Sequence, residues 1–445
     1  MRGLRRVICV AIGATLALVP AACADARPRF QKVSLSTASG KTFTSVVLGP
    51  EGKLYAGTID GEIVRWPLSA GGTTGVAEVI TSLKSANGGA RLLIGLAFDP
   101  MSTPAAPILW VTHSHFSFAN APDWTGKISR LSGSALGTVQ DYVVGLPRST
   151  KEHLTNSLAF GPDGALYVLE GSNTTMGAPD SYWNFRAERL LTAAVLRVDT
   201  GAIVAPPLAV KTEGGGSYDP FMPGAPLTIY ASGLRNAYDL VWHSNGSLYV
   251  PTNGSRAGGN APGTPRPLPP ACSRRLDGAY RGPPVPALKN VRTAQPDFLF
   301  RVVQRGYYGH PNPRRCEWVL NGGNPSSSED TVEVPQYRAG TLPDRNWRGA
   351  AFDFGLHRSA DGVVEYTNGA FGGELQGKLL VTRYAADDDV IALSLDVDGN
   401  ASEVAISGLT GFSDPLDIAE DPSNGNLYVT EFGANRITLL RPQAR

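Results

Sequence analysis

The hydrophobic and polar positions of this chain repeat a short unit. An apolar run of strand length is followed by a polar turn containing glycine and by a second apolar run that begins Leu-Tyr. Four clear copies of the turn and second run are GPEGKLYA at Gly49–Ala56, GPDGALYV at Gly161–Val168, HSNGSLYV at His243–Val250 and PSNGNLYV at Pro422–Val429. The glycine supplies the positive φ of a tight turn, and the flanking residues favour strands. Each copy therefore predicts a β-hairpin.

Two weaker copies, at Leu93–Thr112 and Gly362–Thr382, fill the gaps between the clear ones. A third apolar strand follows each hairpin, at Gly61–Trp66, Gly126–Leu131, Ala194–Asp199, Phe298–Val302, Val390–Leu395 and Asn435–Leu440. Six repeated antiparallel sheets predict an all-β protein, a six-bladed β-propeller. A β-sandwich or a pair of domains is the alternative, and the regular recurrence without a linker-like break argues against it.

Three long insertions interrupt the repeats, at residues 170–193, 254–296 and 306–350. The second of them is rich in Gly, Pro and Arg. Binding residues of a rigid scaffold concentrate on its loops, and those of a propeller gather at one end of its channel. We therefore expect the insertions to form the walls of a pocket.

The composition agrees with a large all-β protein. Apolar residues make up 42% of the 445 residues, and Gly (51) and Pro (34) are frequent, which indicates a sizeable core and many turns. The formal net charge is +1 and no basic patch stands out, so nucleic-acid binding has no electrostatic support. The sequence also lacks the Gly-x-Ser-x-Gly, P-loop and dinucleotide motifs of acyl transfer, phosphoryl transfer and nucleotide binding.

The N-terminus has the pattern of a secretory signal. Three arginines within the first six residues precede the apolar run Val7–Val19, which is too short to span a bilayer comfortably. Small residues suited to cleavage follow around Ala24. We therefore predict a signal peptide over residues 1–24, a propeller over residues 25–445, and a periplasmic or secreted location. Cys23 leaves a lipoprotein anchor open as an alternative.

Two cysteines remain after the signal segment, Cys272 and Cys316. In an oxidising compartment such a pair more often forms a disulfide than a metal site. A zinc site would need further ligands, and only His310 lies close to Cys316 in the sequence. The sequence thus favours a Cys272–Cys316 disulfide.

Four segments carry a more specific pattern: LLIGLAFDP at Leu92–Pro100, HLTNSLAFGPDG at His153–Gly164, GLRN at Gly233–Asn236 and GYYGHP at Gly306–Pro311. Together they resemble the quinoprotein glucose/sorbosone dehydrogenase family, and the likeness covers most of residues 43–440. The resemblance implies a six-bladed propeller that oxidises a sugar or alcohol hydroxyl with pyrroloquinoline quinone (PQQ) and calcium.

The resemblance also implies roles for individual residues. His153 would be the general base, for which an imidazole is well suited near neutral pH. Glu152, beside it, would hold a sugar hydroxyl. Arg235 and Asn236 would contact the cofactor's carboxylates and quinone oxygens, since the planar guanidinium matches a carboxylate.

Two further sets of residues follow from the same resemblance. Gly254 and Ser255 lie in a turn similar to the one whose backbone carbonyls hold the calcium ion. Tyr308 and His310 would line the sugar pocket, with aromatic packing between blades as the equally open alternative.

The chain departs from the family pattern where the cofactor's carboxylates would be held. The Arg-x-Arg-Asp motif of the last blade is replaced by DPLD at Asp414–Asp417, and the fifth-blade Lys is absent, so that only Arg383 could substitute. Each lost charge-assisted hydrogen bond is worth about 1.5–3 kcal/mol. Two other hypotheses therefore stand beside the dehydrogenase: a non-catalytic propeller that binds carbohydrate or a protein partner, and a calcium-dependent lactonase.

Overall fold

The computed structural model describes residues 27–443, which form six small antiparallel sheets arranged around a central channel. The predicted all-β six-bladed propeller is confirmed. Within the described range no helix is long and apolar enough to cross a membrane. The signal peptide over residues 1–24 and the possible anchor at Cys23 concern residues outside that range and stay predictions.

Residues 27–443 contain twenty-six strands, one short α-helix and five 3-10 segments. The strands are β1 (Phe30–Ser39), β2 (Phe43–Leu48), β3 (Leu54–Thr58), β4 (Ile63–Trp66), β5 (Glu78–Ile80), β6 (Arg91–Phe98), β7 (Ile108–His115), β8 (Gly126–Ser132), β9 (Thr138–Leu146), β10 (Thr155–Phe160), β11 (Leu166–Glu170), β12 (Ala194–Val198), β13 (Leu208–Ala209), β14 (Leu227–Ser232), β15 (Asn236–Ala237), β16 (Val241–Trp242), β17 (Leu248–Asn253), β18 (Asp297–Val302), β19 (Phe352–Gly355), β20 (Ala360–Tyr366), β21 (Lys378–Arg383), β22 (Asp389–Leu395), β23 (Ala401–Val404), β24 (Pro415–Asp421), β25 (Asn426–Glu431) and β26 (Arg436–Pro442). The helix α1 spans Ser82–Ala86.

The strands group into blades in chain order. Blade 1 contains β2 to β5, blade 2 contains β6 to β9 with β13, blade 3 contains β10, β11, β12 and β14, blade 4 contains β15 to β19, and blade 5 contains β20 to β23. Blade 6 contains β24 to β26 and takes β1 as its outer strand, with Phe30 opposite Pro442. Strands from the two ends of the chain therefore close the ring within one sheet.

The repeated hairpin turn has the geometry that its sequence predicts. In the copy between β10 and β11, the Gly161 N–H donates to the Ala165 carbonyl at 2.8 Å, and Gly164 has a φ of +76°. The tyrosine of the repeat lies in the core, and Tyr55 of blade 1 packs edge-on against Phe98 of blade 2 with ring centres 5.0 Å apart. The conserved spacing of turn and tyrosine thus builds both the blade and its contact with a neighbour.

The insertions gather at one end of the channel. Residues 170–193 and 254–296 connect the second and third strands of blades 3 and 4, so they leave at the same end. The third insertion follows β18 at the opposite end of the channel. It then runs along the side of blade 3 toward the other insertions, and Tyr307 pairs in parallel with Ser232 there. A disulfide between Cys272 and Cys316, with Cα atoms 5.5 Å apart, ties the second and third insertions together. Their shared apolar core includes Met176, Val285, Leu320, Trp318 and Tyr337.

Candidate functional site

An open cleft of about 280 Å³ lies at the end of the channel where the insertions gather. Its walls come from the segments that lead into the inner strands of blades 3, 4 and 5 and from two of the insertions. The lining residues are Glu152, His153, Tyr182, Arg235, Asn236, Asn253, Gly254, Arg256, Asp297, His357, Ser359 and Ala385. Five residues predicted from motifs far apart in the chain, namely Glu152, His153, Arg235, Asn236 and Gly254, therefore meet in one cleft.

His153 is fixed in one orientation by its neighbours. Its Nδ1 lies 3.0 Å from the carbonyl oxygen of Ser172, and its ring packs against that of Trp183 with centres 4.3 Å apart. Because a carbonyl can only accept, Nδ1 carries the proton in this contact and Nε2 keeps a free lone pair. Nε2 makes no hydrogen bond with any of residues 27–443. The side chain is thus oriented as a proton acceptor.

The surroundings keep this imidazole neutral. Burial lowers the pKa of His153 well below its usual value, and the positive charge of Arg235 lowers the pKa further. The ring is 3% exposed. A neutral base therefore persists throughout the neutral pH range.

Arg235 brings a positive charge to the same cleft. Two residues before it, Gly233 has a φ of +81°. A Cβ at Gly233 would lie 2.7 Å from the Tyr308 backbone nitrogen, so only glycine fits at this position. The Arg235 guanidinium donates to the Thr175 carbonyl at 3.2 Å and to the Gly254 carbonyl at 2.9 Å. Burial lowers the pKa of Arg235. In the described part of the chain this guanidinium has no carboxylate hydrogen-bond partner, which leaves charge available for an anionic ligand.

Asn236 offers an amide donor beside Arg235. Its Oδ1 accepts a hydrogen bond from Asn156 at 3.1 Å, and the Asn156 amide also donates to the Ala237 carbonyl at 2.7 Å. The Asn236 Nδ2 donates to no residue between 27 and 443, so it is the half of the amide that remains for a ligand.

The calcium hypothesis does not fit the turn for which it was made. The Gly254 carbonyl already accepts from the Arg235 guanidinium, and the Ser255 carbonyl accepts from the Gln295 N–H at 2.8 Å. Ser255 is fully buried. A divalent cation at Gly254 would stand against a guanidinium at hydrogen-bond distance, which is strongly repulsive. Among residues 27–443 no group of three or more His, Cys, Asp or Glu is placed to hold a metal ion.

Tyr308 and His310 lie outside the cleft. Tyr308 packs on Phe300 with ring centres 4.8 Å apart, and its hydroxyl donates to the Arg301 carbonyl at 2.9 Å. The His310 Nε2 lies 2.9 Å from a Glu188 carboxylate oxygen, and both side chains are buried. Tyr308 therefore has an aromatic contact of the kind that the sequence left open as the alternative, whereas His310 is engaged by the Glu188 carboxylate.

Arg383 also lies outside the cleft. Its guanidinium forms hydrogen bonds at 2.8 and 2.6 Å with Asp389, its cross-strand neighbour between β21 and β22, and a further ion pair with Asp387 at 3.1 Å. The charge that was expected to replace the missing family lysine is therefore engaged within its own hairpin.

Several lining residues had no motif to reveal them. Tyr182 and Arg256 come from insertions without periodicity, and His357 and Ser359 come from the connection into blade 5. Asp297 begins β18, and its carboxylate accepts three backbone N–H groups, from Gly254, Arg358 and Ser359 at 2.7 to 2.8 Å. Only Ser359, which lies just before the inner strand of blade 5, and Asp297, which begins the third strand of blade 4, stand at strand starts that could have pointed to them.

The channel below the cleft contains three buried carboxyl groups, from Asp239, Asp361 and Asp417. Burial raises the pKa of Asp239 to about 6 and that of Asp361 to about 7, and it raises the pKa of Asp417 well above its usual value. Asp361 accepts hydrogen bonds from Asn253 and Ser359 at 3.0 Å each. The channel thus has buried acids from blades 4, 5 and 6, whereas Arg235, a cation of the cleft, lies at the entry to blade 4.

Comparisons with known proteins agree with this architecture. Residues 45–66, which cover β2 to β4, match the N-terminal part of the strictosidine synthase-like family. No curated protein matches the sequence. Among solved structures, the chain is similar to the PQQ-bound aldose sugar dehydrogenase from Streptomyces coelicolor, with 15% identity, a TM-score of 0.54, and coverage of 94% of this chain and 99% of that chain.

Two fungal structures give the same result. The holo PQQ domain of pyranose dehydrogenase from Coprinopsis cinerea has 12% identity, a TM-score of 0.57, and coverage of 93% of this chain and 98% of that chain. The calcium structure of a Carbohydrate-Active Enzymes Family AA12 protein from Trichoderma reesei has 14% identity, a TM-score of 0.56, and coverage of 94% and 98%. The chain therefore has the six-bladed propeller fold of the sugar dehydrogenases, as its sequence motifs predicted.

Proposed function

We propose that the cleft binds a sugar or related polyol and oxidises one of its hydroxyl groups, with His153 as the general base and PQQ as the hydride acceptor. One observation carries the proposal. The imidazole of His153 is held through Nδ1 by the Ser172 carbonyl and presents an unpartnered Nε2 in a cleft that also contains Arg235 and Asn236.

In this reaction the protein accepts a proton and positions the substrate. The Nε2 of His153 accepts the hydroxyl proton as the carbon gives up its hydride and the carbonyl forms. The Nδ1–H bond to Ser172 then stabilises the resulting imidazolium. PQQ, when bound, supplies a quinone that takes up the hydride. Glu152, exposed at the rim, is placed to accept a hydrogen bond from a second substrate hydroxyl.

The side chains on one wall fit a flat, anionic cofactor. The Arg235 guanidinium has capacity for further hydrogen bonds, and the Asn236 Nδ2 is a neutral donor next to it. We assign these two residues to the cofactor's oxygens. Arg383 does not belong to this set because Asp387 and Asp389 neutralise it.

A direct experiment tests the proposal. Purified protein is mixed with PQQ, and bound quinone is followed by absorbance while dye reduction is measured on a panel of aldoses. His153→Gln, which retains volume against Trp183, should lower turnover at least about 100-fold and leave quinone binding unchanged. Absence of both bound quinone and dye reduction in the unmodified protein would overturn the proposal, and full activity of His153→Gln would remove the assigned base.

The acidic wall of the channel favours a second candidate, a non-catalytic propeller that binds carbohydrate. Asp414 stands where the family pattern has an arginine, and burial together with the charge of Asp388 raises its pKa. A tricarboxylate would meet repulsion on this side. Sugar binding by calorimetry with no quinone uptake would favour this candidate over the dehydrogenase.

A further inference from the structure

Two cations share one aromatic ring at the mouth of the cleft. The Lys151 Nζ lies 3.5 Å from the ring centre of Tyr182, and the Arg256 guanidinium carbon lies 4.4 Å from the same centre. The two charges are therefore within about 8 Å of each other, close enough to repel even when partly solvated. The ring offsets only part of this repulsion.

These cations are not neutralised within the fold. In residues 27–443 neither Lys151 nor Arg256 forms an ion pair with a carboxylate, whereas arginines such as Arg275 and Arg383 do. The buried acid among the lining residues of the cleft, Asp297, is engaged by three backbone N–H groups. Arg235, Arg256 and Lys151 thus place three positive charges at the cleft. Glu152 is the only acid besides Asp297 among the described residues that line it.

The ring between the cations is fixed relative to the proposed base. Tyr182 lies in the 3-10 segment Ser181–Trp183, whose cap Asp180 accepts from the Tyr182 N–H at 3.0 Å and from the Thr175 N–H at 2.8 Å. Tyr182 packs on Trp183 with ring centres 5.3 Å apart, and Trp183 packs on His153. The cation pair is therefore linked to the imidazole through two successive aromatic contacts.

We propose that Lys151 and Arg256 form a carboxylate subsite and that the substrate is a sugar acid, such as a uronate, rather than a neutral sugar. The inference rests on the proposed oxidation at His153. A carboxylate bound beside the Tyr182 ring, within reach of both side chains, would relieve their repulsion and receive charge-assisted hydrogen bonds from them. The carbon skeleton of the same molecule would then extend inward and bring a hydroxyl group to His153 Nε2.

The position of Arg256 assigns the carboxylate to the substrate and not to the cofactor. Arg256 is exposed at the rim, whereas Arg235 and Asn236, the residues assigned to the cofactor, lie next to the first strand of blade 4. The substrate enters after the cofactor and leaves after each turnover, so it contacts residues at the rim such as Arg256.

The test uses three ligands with one skeleton: D-glucuronate, its neutral isostere D-glucuronamide, and D-glucose. Their binding is measured by calorimetry on the PQQ-loaded and the unloaded protein, beside dye reduction with each ligand. We expect D-glucuronate to bind at least about 10-fold more tightly than the two neutral ligands. About 0.5 M salt should remove most of that preference, because salt screens charges at the solvent-exposed rim.

Two variants and one control make the assignment specific. Arg256→Met and Lys151→Met should each reduce the preference for D-glucuronate to about 3-fold or less, with quinone binding unchanged. Arg281→Met, at an exposed arginine of the same insertion outside the cleft, should leave the preference intact.

The outcomes separate this inference from the function on which it rests. Equal affinity for D-glucuronate and D-glucuronamide overturns the subsite, even if dye reduction shows a dehydrogenase. Loss of quinone binding in Arg256→Met with the preference retained also overturns it, since the cations would then serve the cofactor. Preferential binding of D-glucuronate without quinone uptake supports the subsite and overturns the oxidation.

Discussion

At the scale of single residues, the site depends on which groups are already engaged by the fold. His153 has its Nδ1 committed to Ser172 and its Nε2 available, whereas Arg383 has its whole guanidinium committed to aspartates. Hydrogen bonds that a protein makes to itself decide which side chains remain for a ligand. For that reason the two residues, both predicted for the site, have opposite outcomes.

The protonation of His153 can be tested by nitrogen-detected NMR. We expect Nδ1 to be protonated and Nε2 unprotonated at pH 7, with no titration until the pH is well below 6.5, because burial and Arg235 oppose the imidazolium. Arg235→Met removes a positive charge and should therefore raise the pKa of His153, although burial should keep it below the ordinary value. A midpoint near 6.5 in the unmodified protein, with the signal assigned through His153→Gln, would contradict this assignment.

Metal removal tests the role of Arg235 beside Gly254. Since the guanidinium already occupies the carbonyl at which calcium was predicted, chelation with EDTA should leave the melting temperature and quinone binding unchanged. Arg235→Ala frees that carbonyl and provides the matched comparison for calcium-dependent stabilisation. Loss of quinone binding on chelation, restored by calcium, would show that the Gly254–Ser255 turn binds the metal after all.

At the scale of elements, the insertions form a layer with its own core over blades 3 and 4. The layer packs around Trp318 and Tyr337, and the Cys272–Cys316 disulfide joins two insertions that have no strand pairing to a blade in common. The second insertion is held to blade 4 by loop hydrogen bonds, such as the one that the Gly254 N–H donates to the carboxylate of Asp297 at the start of β18. The stability of the cleft wall should therefore depend on the layer and not on the blades alone.

Removal of the disulfide should loosen the insertions before the blades. The bridge joins residues 44 positions apart, and a loop of that length corresponds to about 4 kcal/mol of chain entropy in the unfolded state. Cys272→Ala with Cys316→Ala should lower the free energy of unfolding by about 2–4 kcal/mol. Hydrogen exchange should speed up first in residues 254–350. Equal acceleration in the six blades would show that the layer does not open separately.

At the scale of the whole molecule, closure of the ring brings acidic side chains from separate blades into one channel. Asp239, Asp361 and Asp417 come from blades 4, 5 and 6, and burial raises the pKa of each. A carboxyl group with a raised folded-state pKa keeps its proton in the folded protein while the unfolded chain loses it. The folded state therefore loses stability as the pH rises from about 4 through about 7.

Asp361→Asn tests this pH dependence. Asparagine retains the volume and polar contacts near Asn253 and Ser359 but cannot ionise, so it should change stability little at pH 4. At pH 8 it should raise the free energy of unfolding by about 2 kcal/mol relative to the unmodified protein. Denaturant unfolding at both pH values measures the difference. A variant that is less stable at pH 8 than at pH 4, relative to the unmodified chain, would contradict the raised pKa of Asp361.

Features that depend on neighbouring positions in the chain could be predicted from the amino-acid pattern. A turn glycine and the apolar runs on either side of it specify each hairpin. A third apolar run follows each hairpin, as at Ala194–Asp199 and Val390–Leu395, and six such units predicted the propeller. The motifs that resemble the dehydrogenase family also pointed to His153, Arg235 and Asn236, which line one cleft because each lies just before or at the start of an inner strand.

The loops that meet above the channel, and the charges that pair there, depend on contacts between distant parts of the fold. Tyr308 and His310 are buried because their segment runs between two blades. The Arg235 guanidinium donates to the Gly254 carbonyl, although the two residues are 19 positions apart in the chain. The cation pair at Tyr182 joins three separate segments through Lys151 and Arg256. Insertions have no periodicity that fixes their path, so contacts between them depend on the packing of the whole ring and cannot be inferred from local pattern.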